Sequence, residues 1–453
     1  MFDTIISQIT PPGIGGVYII RISGKKSYLV SKCVLGKLLK PRYATYLKFL
    51  DVNKEILDQG IAIWYPSPKS FTGEDVLELQ GHGNNFIANL LLKRILKIPN
   101  IRLANPGEFS KRAFLNKKID LIQAEAISDL INANSEASVK ASLKSLNGDF
   151  SKNIFKIVSK IKKFRVFLEA KLNFSEEDIE INIRKNVLKK IIKIISYLKD
   201  ILFISNNGIL LKEGIKVVIA GFPNSGKSSL FNLLSKKKSS IVTNIKGTTR
   251  DLIKNNIYFN KNLIKLVDTA GFRETKDKIE KIGINLAKKE INKANILFFL
   301  IDINKNKKEQ LNDFFNFIKN ISSKIHILLI LNKIDLTNLN SKITQFNKID
   351  SIYLSIKKKI GLNIFYKYFK NTLKKFNNFS NESVFISRQR HIEEIKLAIN
   401  EMLLAKSEWK DNENYEILAY FLKNTQNYLN KITGLISSDD ILNDIFSNFC
   451  IGK

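Results

Sequence analysis

Eight consecutive residues, Gly221 to Ser228, form a pattern that can hold the phosphates of a nucleotide. They read Gly-Phe-Pro-Asn-Ser-Gly-Lys-Ser and lie between an apolar, strand-like run and a helix-like segment. A glycine-rich turn in that position aims backbone N–H groups at phosphate oxygens. Lys227 can then reach the β- and γ-phosphates, and the hydroxyl of Ser228 can bind Mg²⁺. The other contacts predicted for this loop are Asn224, Ser225, Gly226 and Ser229.

Three further motifs predict that the base is guanine and that a metal is bound. Asp268-Thr269-Ala270-Gly271 and Asn332-Lys333-Ile334-Asp335 each follow an apolar run that reads as a buried strand. The first can hold the Mg²⁺ shell and approach a γ-phosphate. The carboxylate of Asp335 can accept hydrogen bonds from guanine N1 and N2, a donor pair that adenine lacks. Ser355-Ile356-Lys357 can close over the base.

The segment from Gly247 to Asp251 reads as a switch between the first two motifs. Thr249 is expected to place its hydroxyl on Mg²⁺ when the γ-phosphate is present. Four ordered motifs, each at a strand end, therefore predict a GTP-binding domain that carries Mg²⁺.

The residue after Gly271 departs from small signalling GTPases. It is Phe272, which cannot orient an attacking water as their glutamine does. Hydrolysis then needs another water-positioning group and another positive charge. The amide oxygen of Asn224 can ligate a monovalent cation at the place an arginine finger would reach. Asn224 can equally serve only to shape the turn, and the sequence leaves both interpretations open.

The chain as a whole resembles one protein family, over essentially all 453 residues. The matching segments are 10–16 (TPPGIGG), 21–24 (RISG), 71–76 (FTGEDV), 81–83 (GHG), 106–110 (PGEFS), 113–116 (AFLN), 123–126 (QAEA) and the terminal 449–453 (FCIGK). Together they resemble the bacterial tRNA-modification GTPases of the MnmE, or TrmE, family. One departure is Ile356, which replaces the usual alanine and must fit beside guanine; affinity can change, but base identity should not.

The resemblance implies how GTP is hydrolysed. A potassium ion activates the reaction, with ligands at the positions of Asn224, Thr243, Ile245 and Thr248. Glu280 arranges the attacking water, and Asn224 and Lys227 complete the implied catalytic set. The implied GTP contacts in the switch are Thr243, Asn244, Ile245, Lys246, Gly247, Thr248 and Thr249.

The resemblance also implies a second site and a second protein. A reduced folate of the 5-formyl- or methylene-tetrahydrofolate type binds at Arg21, Glu78, Lys118 and Lys453. A homodimer joins an FAD-binding protein of the MnmG (GidA) type, which alone carries the FAD, in a heterotetramer or larger complex. Together they add a carboxymethylaminomethyl or aminomethyl group to C5 of the wobble uridine, position 34, of certain tRNAs. Folate is the one-carbon donor.

The alternative function is a GTP-switched RNA-binding or ribosome-assembly factor without modification chemistry. It predicts tight ribosome or rRNA association and no folate binding. The resemblance of the N-terminal segment and of the terminal motif favours the modification enzyme. Which tRNAs are modified and which amine is installed are not readable from the sequence.

The amino-acid composition restricts the cellular location and the binding partners that can be expected. Hydrophobic residues make up 44% of the chain, but no apolar run reaches the length of a membrane span. No signal peptide is visible, and two cysteines make no disulfide framework, so a cytoplasmic location is expected. The net charge of +32 favours nucleic acid. Because Lys, Asn and Ile are abundant throughout, an AT-rich genome explains this excess better than a dedicated basic groove.

The periodicity predicts a multidomain α/β protein. Its segments are an α+β dimerisation and folate-binding domain (1–117), a first helical part (118–213), an inserted P-loop GTPase domain (214–376) and a second helical part with the terminal motif (377–453). The Lys- and Asn-rich stretch between Asp302 and Ile325 is expected to be a surface loop. His82 is expected to shape a turn rather than to act as an acid or base, and Cys450 to be a thiol without catalytic function.

Overall fold

The computed structural model describes residues 3–173, 181–236, 253–260, 262–269, 288–319, 321–377, 385–436, 439–447, 449 and 452. They belong to two compact units. The first contains Met1–Asn132, Ser142–Leu202 and Arg390–Lys453, and the second contains Ala133–Ala141 and Phe203–Gln389. Within the described ranges, every helix is too short or too polar to cross a membrane.

The described chain contains strands mainly in its N-terminal and central parts and runs of successive helices between and after them. The strands are β1 (Thr4–Gln8), β2 (Val17–Ser23), β3 (Thr45–Leu50), β4 (Ile56–Tyr65), β5 (Val76–His82), β6 (Ile101–Leu103), β7 (Ile215–Gly221), β8 (Ile253–Phe259), β9 (Asn262–Asp268), β10 (Ile296–Asp302), β11 (His326–Asn332), β12 (Ile343–Phe346) and β13 (Ile349–Leu354). The helices are α1 (Ser27–Leu35), α2 (Asn85–Leu96), α3 (Glu108–Leu115), α4 (Leu121–Ile131), α5 (Glu136–Leu146), α6 (Asp149–Asn173), α7 (Ile181–Glu213), α8 (Lys227–Lys236), α9 (Lys307–Ile318), α10 (Leu362–Asn377), α11 (Gln389–Asp411), α12 (Tyr415–Thr433) and α13 (Asp439–Ser447).

The first unit begins with a six-stranded sheet in the order β3-β4-β5-β2-β1-β6. The pairs are antiparallel except for β1 with β6. Helices α1 and α2 cover one face and bury Val30, Val34, Ala88 and Leu91 against it. The other face stays partly open, so strands such as β4 alternate buried and exposed residues. This is the predicted α+β architecture.

Long helices complete the first unit. Helix α12 packs along α6, and Arg165 on α6 donates a hydrogen bond to Gln426 on α12. The buried carboxylate of Glu125 on α4 binds both Arg390 and His391 at the start of α11. These contacts join residues more than 250 positions apart, so helices from both predicted helical parts pack together in the first unit.

The second unit contains a seven-stranded sheet in the order β12-β13-β11-β10-β7-β9-β8. The five central strands are parallel, and the two edge pairs, β12 with β13 and β8 with β9, are antiparallel. Helices α8 and α10 cover one face and α9 covers the other, with separate apolar cores on the two sides. A parallel sheet buried on both faces needs continuous apolar strands, and all seven residues of β10 are buried.

The stretch between Asp302 and Ile325 corrects one sequence expectation. It is not merely a surface loop, because it contains helix α9. Asn306 caps the helix through its side chain, and Phe314 is fully buried against the sheet. The apolar residues recur at helical spacing among the lysines and asparagines, and this periodicity outweighs the polar composition.

The domain boundaries given above remain predictions. The strands and helices of the second sheet run from Ile215 to Asn377, but the compact unit around them also takes in 133–141 and 203–213. The first unit likewise combines the N-terminal sheet with most of the helical residues.

Candidate nucleotide-binding site

The phosphate-binding pattern folds as the turn between β7 and α8. Gly226 has φ +101°, and a methyl group added there would lie 2.3 Å from Nδ2 of Asn332. Only glycine therefore fits at this point of the turn. The hydroxyl of Ser225 donates to the carbonyl oxygen of Phe222 at 2.8 Å and closes the loop. The backbone is thus shaped in advance for a ligand at the start of α8.

Lys227 is almost fully buried at the start of α8, and its ammonium group donates to the carbonyl oxygen of Phe222 at 2.9 Å. Burial lowers the pKa of this ammonium, and the negative charge of Asp268 partly offsets that effect. An ammonium held inside the loop is placed to bind phosphate oxygens as a point charge.

Asp268 ends β9 beside the loop because β9 pairs in parallel with β7, with Ile219 opposite Asp268. Its Oδ2 accepts a hydrogen bond from the hydroxyl of Ser228 at 3.1 Å. Its Oδ1 is buried and has no hydrogen-bond partner among the described residues. Burial raises the pKa of Asp268, while Ser228 and Lys227 oppose the shift. Thr269, by contrast, uses its hydroxyl to donate to the carbonyl oxygen of Ile219.

Asn332 connects the phosphate loop to the base-closing motif. Its Nδ2 donates to the carbonyl oxygen of Ser225 at 2.8 Å, and its Oδ1 accepts from the backbone N–H of Ile356 at 3.1 Å. Only 3% of the residue is exposed, so both bonds are protected from water. The sequence motif predicted a nucleotide contact here but did not predict this bridge.

Asp335 lines an open cleft of about 710 Å³. The cleft is formed by Ile334, Asp335, Thr337, Leu339, Asn340, Ser341, Lys358 and Ile360. Oδ1 of Asp335 is buried and accepts no hydrogen bond from any residue that the structure describes. A carboxylate in this state is an acceptor that still needs a donor.

The base-closing motif lies at the end of β13. Ser355 and Ile360 pair through their backbones, and the hydroxyl of Ser355 accepts from the N–H of Lys358 at 3.1 Å. Ile356 is only 7% exposed and packs in the apolar core with the strands of the sheet. Its extra bulk relative to alanine is therefore largely accommodated in the core. Lys357 is exposed.

Asp302 was not predicted as part of this site. It ends β10, and its carboxylate pairs with the ammonium of Lys333 at 2.7 Å. Burial alone would raise the pKa of Asp302, but the hydrogen bond and charge of Lys333 lower it. A signal was present in the sequence, because Asp302 follows an apolar strand as Asp268 does.

Asn224 has φ +60°, in the left-handed region, and its side chain is exposed. Asparagine tolerates this conformation better than most residues, which supports the turn-shaping interpretation. The geometry is equally compatible with an amide oxygen that faces a cation, so both interpretations stand.

A second cluster in the first unit gathers three of the four predicted folate residues around the loop from Pro66 to Asp75. Nε of Arg21 donates to Oε1 of Glu78 at 2.8 Å, and the guanidinium lies 5.2 Å from the ring centre of Phe71 in that loop. Nζ of Lys118 donates to the carbonyl oxygen of Pro68 at 3.0 Å. The ion pair between Arg21 and Glu78 also agrees with a purely structural function.

The terminal motif folds back onto the same domain at Gly452. This residue has φ +97°, and a methyl group added to it would lie 2.8 Å from the carbonyl oxygen of Gln8 at the end of β1. Gln8 pairs with Ile20 of β2, the strand that carries Arg21. The tail therefore reaches the sheet that carries the second cluster.

His82 does not lie in the predicted turn: it is the last residue of β5, opposite Val17 of β2, and Asp58 fixes it there. Its Nδ1 lies 2.7 Å from Oδ1 of Asp58, and its backbone N–H donates to Oδ2 at 3.0 Å. Tyr18 donates to the same carboxylate.

Several predicted residues lie outside the described residues. They are Thr243, Asn244, Ile245, Lys246, Gly247, Thr248, Thr249, Ala270, Gly271, Glu280, Cys450 and Lys453. The switch, part of the Mg²⁺ set and most of the potassium set are thus predictions from sequence alone.

The second unit has the architecture of a P-loop GTPase. In its parallel sheet a phosphate loop follows one strand, an acidic residue ends the neighbouring strand, and an Asn-Lys-Ile-Asp motif follows another. Two family models match the chain: the model described as "MnmE helical domain" matches residues 121–450, and the model described as "GTP-binding protein TrmE N-terminus" matches residues 4–118. The chain belongs to the MnmE family of tRNA modification GTPases.

Full-length relatives agree with that membership. The chain is 47% identical over 456 residues to "tRNA modification GTPase MnmE" of Buchnera aphidicola subsp. Baizongia pistaciae, covering 100% of this chain and 99% of the relative. It is 43% identical to the protein of the same name from Proteus mirabilis, again covering 100% and 99%. Among solved structures, the G domain of the T. maritima FeoB iron transporter is 24% identical, covers 36% of this chain and 98% of that one, and has a TM-score of 0.28.

Proposed function

We propose that this protein is a potassium-activated GTP hydrolase that acts with an FAD-binding partner on the wobble uridine of certain tRNAs. In this proposal a homodimer and its flavoprotein partner add a carboxymethylaminomethyl or aminomethyl group to C5 of uridine 34. A reduced folate bound to the N-terminal domain supplies the one-carbon unit.

The observation that carries the GTP part is the unpartnered oxygen of Asp335. A buried acceptor without a donor costs about 1–3 kcal/mol, more when charged, until a ligand satisfies it. The free oxygen lies on the residue whose carboxylate guanine N1 and N2 would bind, beside a cleft large enough for a base. This arrangement favours guanine over adenine.

The phosphate end of the site fits Mg²⁺. The hydroxyl of Ser228 and the carboxylate of Asp268 are adjacent oxygen donors, and Oδ1 of Asp268 has no partner in the described chain. Oxygen donors of this kind suit Mg²⁺. Ser228 would bind the metal with Thr249, and Asp268 would hold its shell. Bound Mg²⁺ would neutralise charge on the β- and γ-phosphates, while Lys227 holds the phosphate oxygens.

Potassium activation is proposed to depend on Asn224, with Thr243, Ile245 and Thr248 as further ligands and Glu280 as the residue that arranges the attacking water. The left-handed backbone at Asn224 offers a sharp test. Asn224→Gly keeps the turn, because glycine adopts φ +60° freely, but removes the amide oxygen. Asn224→Ala removes the amide and strains the turn.

Hydrolysis of GTP is then measured in potassium and in sodium, with nucleotide affinity as the control for folding of the loop. If Asn224 is a ligand, Asn224→Gly binds GTP like the parent and loses the potassium stimulation. Full stimulation in this variant would assign Asn224 to turn shape alone. A parent that hydrolyses GTP equally in both salts would refute potassium activation altogether.

The folate part is supported by the convergence of Arg21, Glu78 and Lys118 on one loop and by the tail at Gly452, which precedes Lys453. A guanidinium and an ammonium can bind the carboxylates of a folate, and a glutamate can accept hydrogen bonds from its ring.

Calorimetry with a reduced folate and the full chain tests the assignment. Glu78→Gln should weaken binding at least tenfold, whereas Glu55→Gln, in the exposed turn between β3 and β4, should not. Equal affinities in the parent and Glu78→Gln would remove the folate site from these residues.

A further inference from the structure

Helices α6 and α7 expose a set of lysines where the two helices lie side by side. Residues 150–168 and 184–199 contain no aspartate or glutamate. The ammonium of Lys160 on α6 lies 3.5 Å from the ring centre of Tyr197 on α7, and that of Lys190 on α7 lies 4.1 Å from the ring centre of Phe167 on α6. The acid-free stretches therefore adjoin each other in antiparallel fashion.

We name this surface the lysine face. It consists of Lys156, Lys160, Phe167, Lys189, Lys190, Lys193 and Tyr197. A cavity of about 360 Å³ opens on it, lined by Phe167, Asn186, Lys189, Lys190 and Lys193. The face thus has both a concentrated positive charge and a recess with an aromatic wall.

The charges on the lysine face are not neutralised by the part of the chain that the structure describes. Other basic residues of these helices do have acidic partners, such as Lys152 with Asp149 and Arg165 with Glu169. The five lysines of the face form no ion pair with a described residue. The hydrogen bond from Lys160 and the positive charges of Lys193 and Lys156 lower the pKa of the Tyr197 hydroxyl, which indicates a concentrated positive field.

A genome-wide drift toward lysine does not explain this distribution. Drift would add lysines at exposed positions everywhere, as on α11, where Lys396, Lys406 and Lys410 alternate with Glu401 and Glu408. On the lysine face the acidic residues are missing as well. Like charges held together repel one another, and an anion that binds among them relieves the repulsion.

We propose that the lysine face binds the phosphate backbone of RNA; this rests on the proposed function, in which a tRNA is the substrate. Lys156 and Lys160 are one helical turn apart, about 6 Å along the axis, so several phosphates can be bound at once. The half-buried rings of Phe167 and Tyr197 among the lysines offer edges and faces against which bases can stack. A protein partner is disfavoured because lysine is depleted in protein–protein interfaces, whereas interfaces with nucleic acid are strongly positive.

The test compares two triple variants of the full chain with the same change in charge. The first is Lys189→Gln, Lys190→Gln, Lys193→Gln on the lysine face. The second is Lys396→Gln, Lys410→Gln, Lys423→Gln, three exposed lysines of the same unit on α11 and α12. Glutamine is a good helix former, so both variants should keep their helices. Thermal melts and GTP hydrolysis check folding.

Binding of an unmodified tRNA transcript is followed by fluorescence anisotropy at several salt concentrations. The first variant should bind roughly 10- to 100-fold more weakly, and its salt slope should fall by about 2 to 3, since each lost phosphate contact removes about one unit. The second variant should bind like the parent, apart from a small uniform loss.

Three outcomes would overturn the inference and leave the proposed function standing. The first is an unchanged tRNA affinity in the lysine-face variant, and the second is an equal loss of tRNA affinity in both variants. The third is a lysine-face variant that binds tRNA normally but no longer associates with the flavoprotein partner, which would show that the face binds a protein. Failure of the proposed function is seen separately, as a parent chain that does not bind the transcript at physiological salt; that result would also refute the inference.

Discussion

The substitution Asp335→Asn should change which base the protein binds. The parent carboxylate can accept hydrogen bonds from both N1–H and the amino group of guanine. Hydrogen bonds to a charged group contribute about 1.5–3 kcal/mol each. Asp335→Asn loses the bond to the amino group, sets an amide donor against that donor and weakens the bond to N1–H, which together cost about 3–6 kcal/mol. That is roughly a 10²- to 10⁴-fold loss of affinity for GTP. Oδ1 has no other partner in the described structure, so no competing interaction reduces the effect.

The same substitution should create affinity for xanthine nucleotides. Xanthine has a carbonyl oxygen where guanine has its amino group. The side-chain amide introduced by Asp335→Asn could donate to that oxygen and accept from N1–H, which restores two neutral hydrogen bonds of about 1 kcal/mol each. The parent carboxylate would face the same oxygen with a repulsive contact.

Competition calorimetry with GDP, GTP, XDP and XTP measures both effects. Asn340→Asp is the matched control, because Asn340 lines the same cleft. It adds one negative charge there, whereas Asp335→Asn removes one. It should alter GTP affinity by no more than about twofold. If Asp335→Asn still bound GTP within threefold of the parent, Asp335 would not contact the base and the assignment of guanine would fail.

Three further substitutions test other parts of the structure. Gly226→Ala should lower GTP affinity at least tenfold in calorimetry, because the methyl group would meet Asn332 and strain a φ of +101°; an unchanged affinity would show that the loop is not held as described. Burial alone would raise the pKa of Glu108, but Arg102 and its neighbours lower it to about 2. The ion pairs of Glu108 therefore stabilise the fold fully above pH 4.5, and this stabilisation is lost as the pH falls toward 2. The deficit in the free energy of unfolding of Glu108→Gln should shrink by up to about 3 kcal/mol over that range in denaturant titrations, and a constant deficit would contradict this. Gly452→Ala should displace the tail, leave GTP hydrolysis within twofold of the parent and reduce tRNA modification at least tenfold, whereas equal effects on both activities would separate the tail from the second site.

The fold, and the placement of Asp268 and Asn332 beside the glycine-rich turn, could be predicted from the sequence because both depend on local signals. Apolar runs set the strands, and the carboxyl ends of parallel strands meet at one edge of a sheet. Asp268 and Asn332, which follow different strands, therefore had to lie near the glycine-rich turn. The Ser228–Asp268 and Asn332–Ser225 bonds connect them there.

Other features depend on which elements pack together, and sequence patterns do not give that pairing. The two bonds of Asn332 join it to Ser225, 107 residues away, and to Ile356. Glu125 meets His391 across 266 positions. Helix α9 was not predicted for a different reason. Its segment is mostly polar, and the interpretation as a surface loop follows this composition rather than the four apolar residues at helical spacing.

The lysine face could not be predicted from the sequence either, because its charge depends on which helices pack together. Overall composition supports a uniform excess of lysine. Only the antiparallel placement of α6 against α7 brings two acid-free stretches together around Phe167 and Tyr197. Net charge is a property of the whole chain, whereas a binding surface depends on where the opposite charges are missing.

The most direct test of the proposed function is nucleoside mass spectrometry of tRNA incubated with the protein, a flavoprotein of the proposed partner type, reduced folate, potassium and one nucleotide. We expect the parent to form the C5-modified wobble uridine with GTP but not with XTP, and Asp335→Asn to do the reverse. Modification by the parent without any nucleotide, or equal modification by Asp335→Asn with GTP, would contradict the claim that guanine nucleotide bound at this site drives the modification.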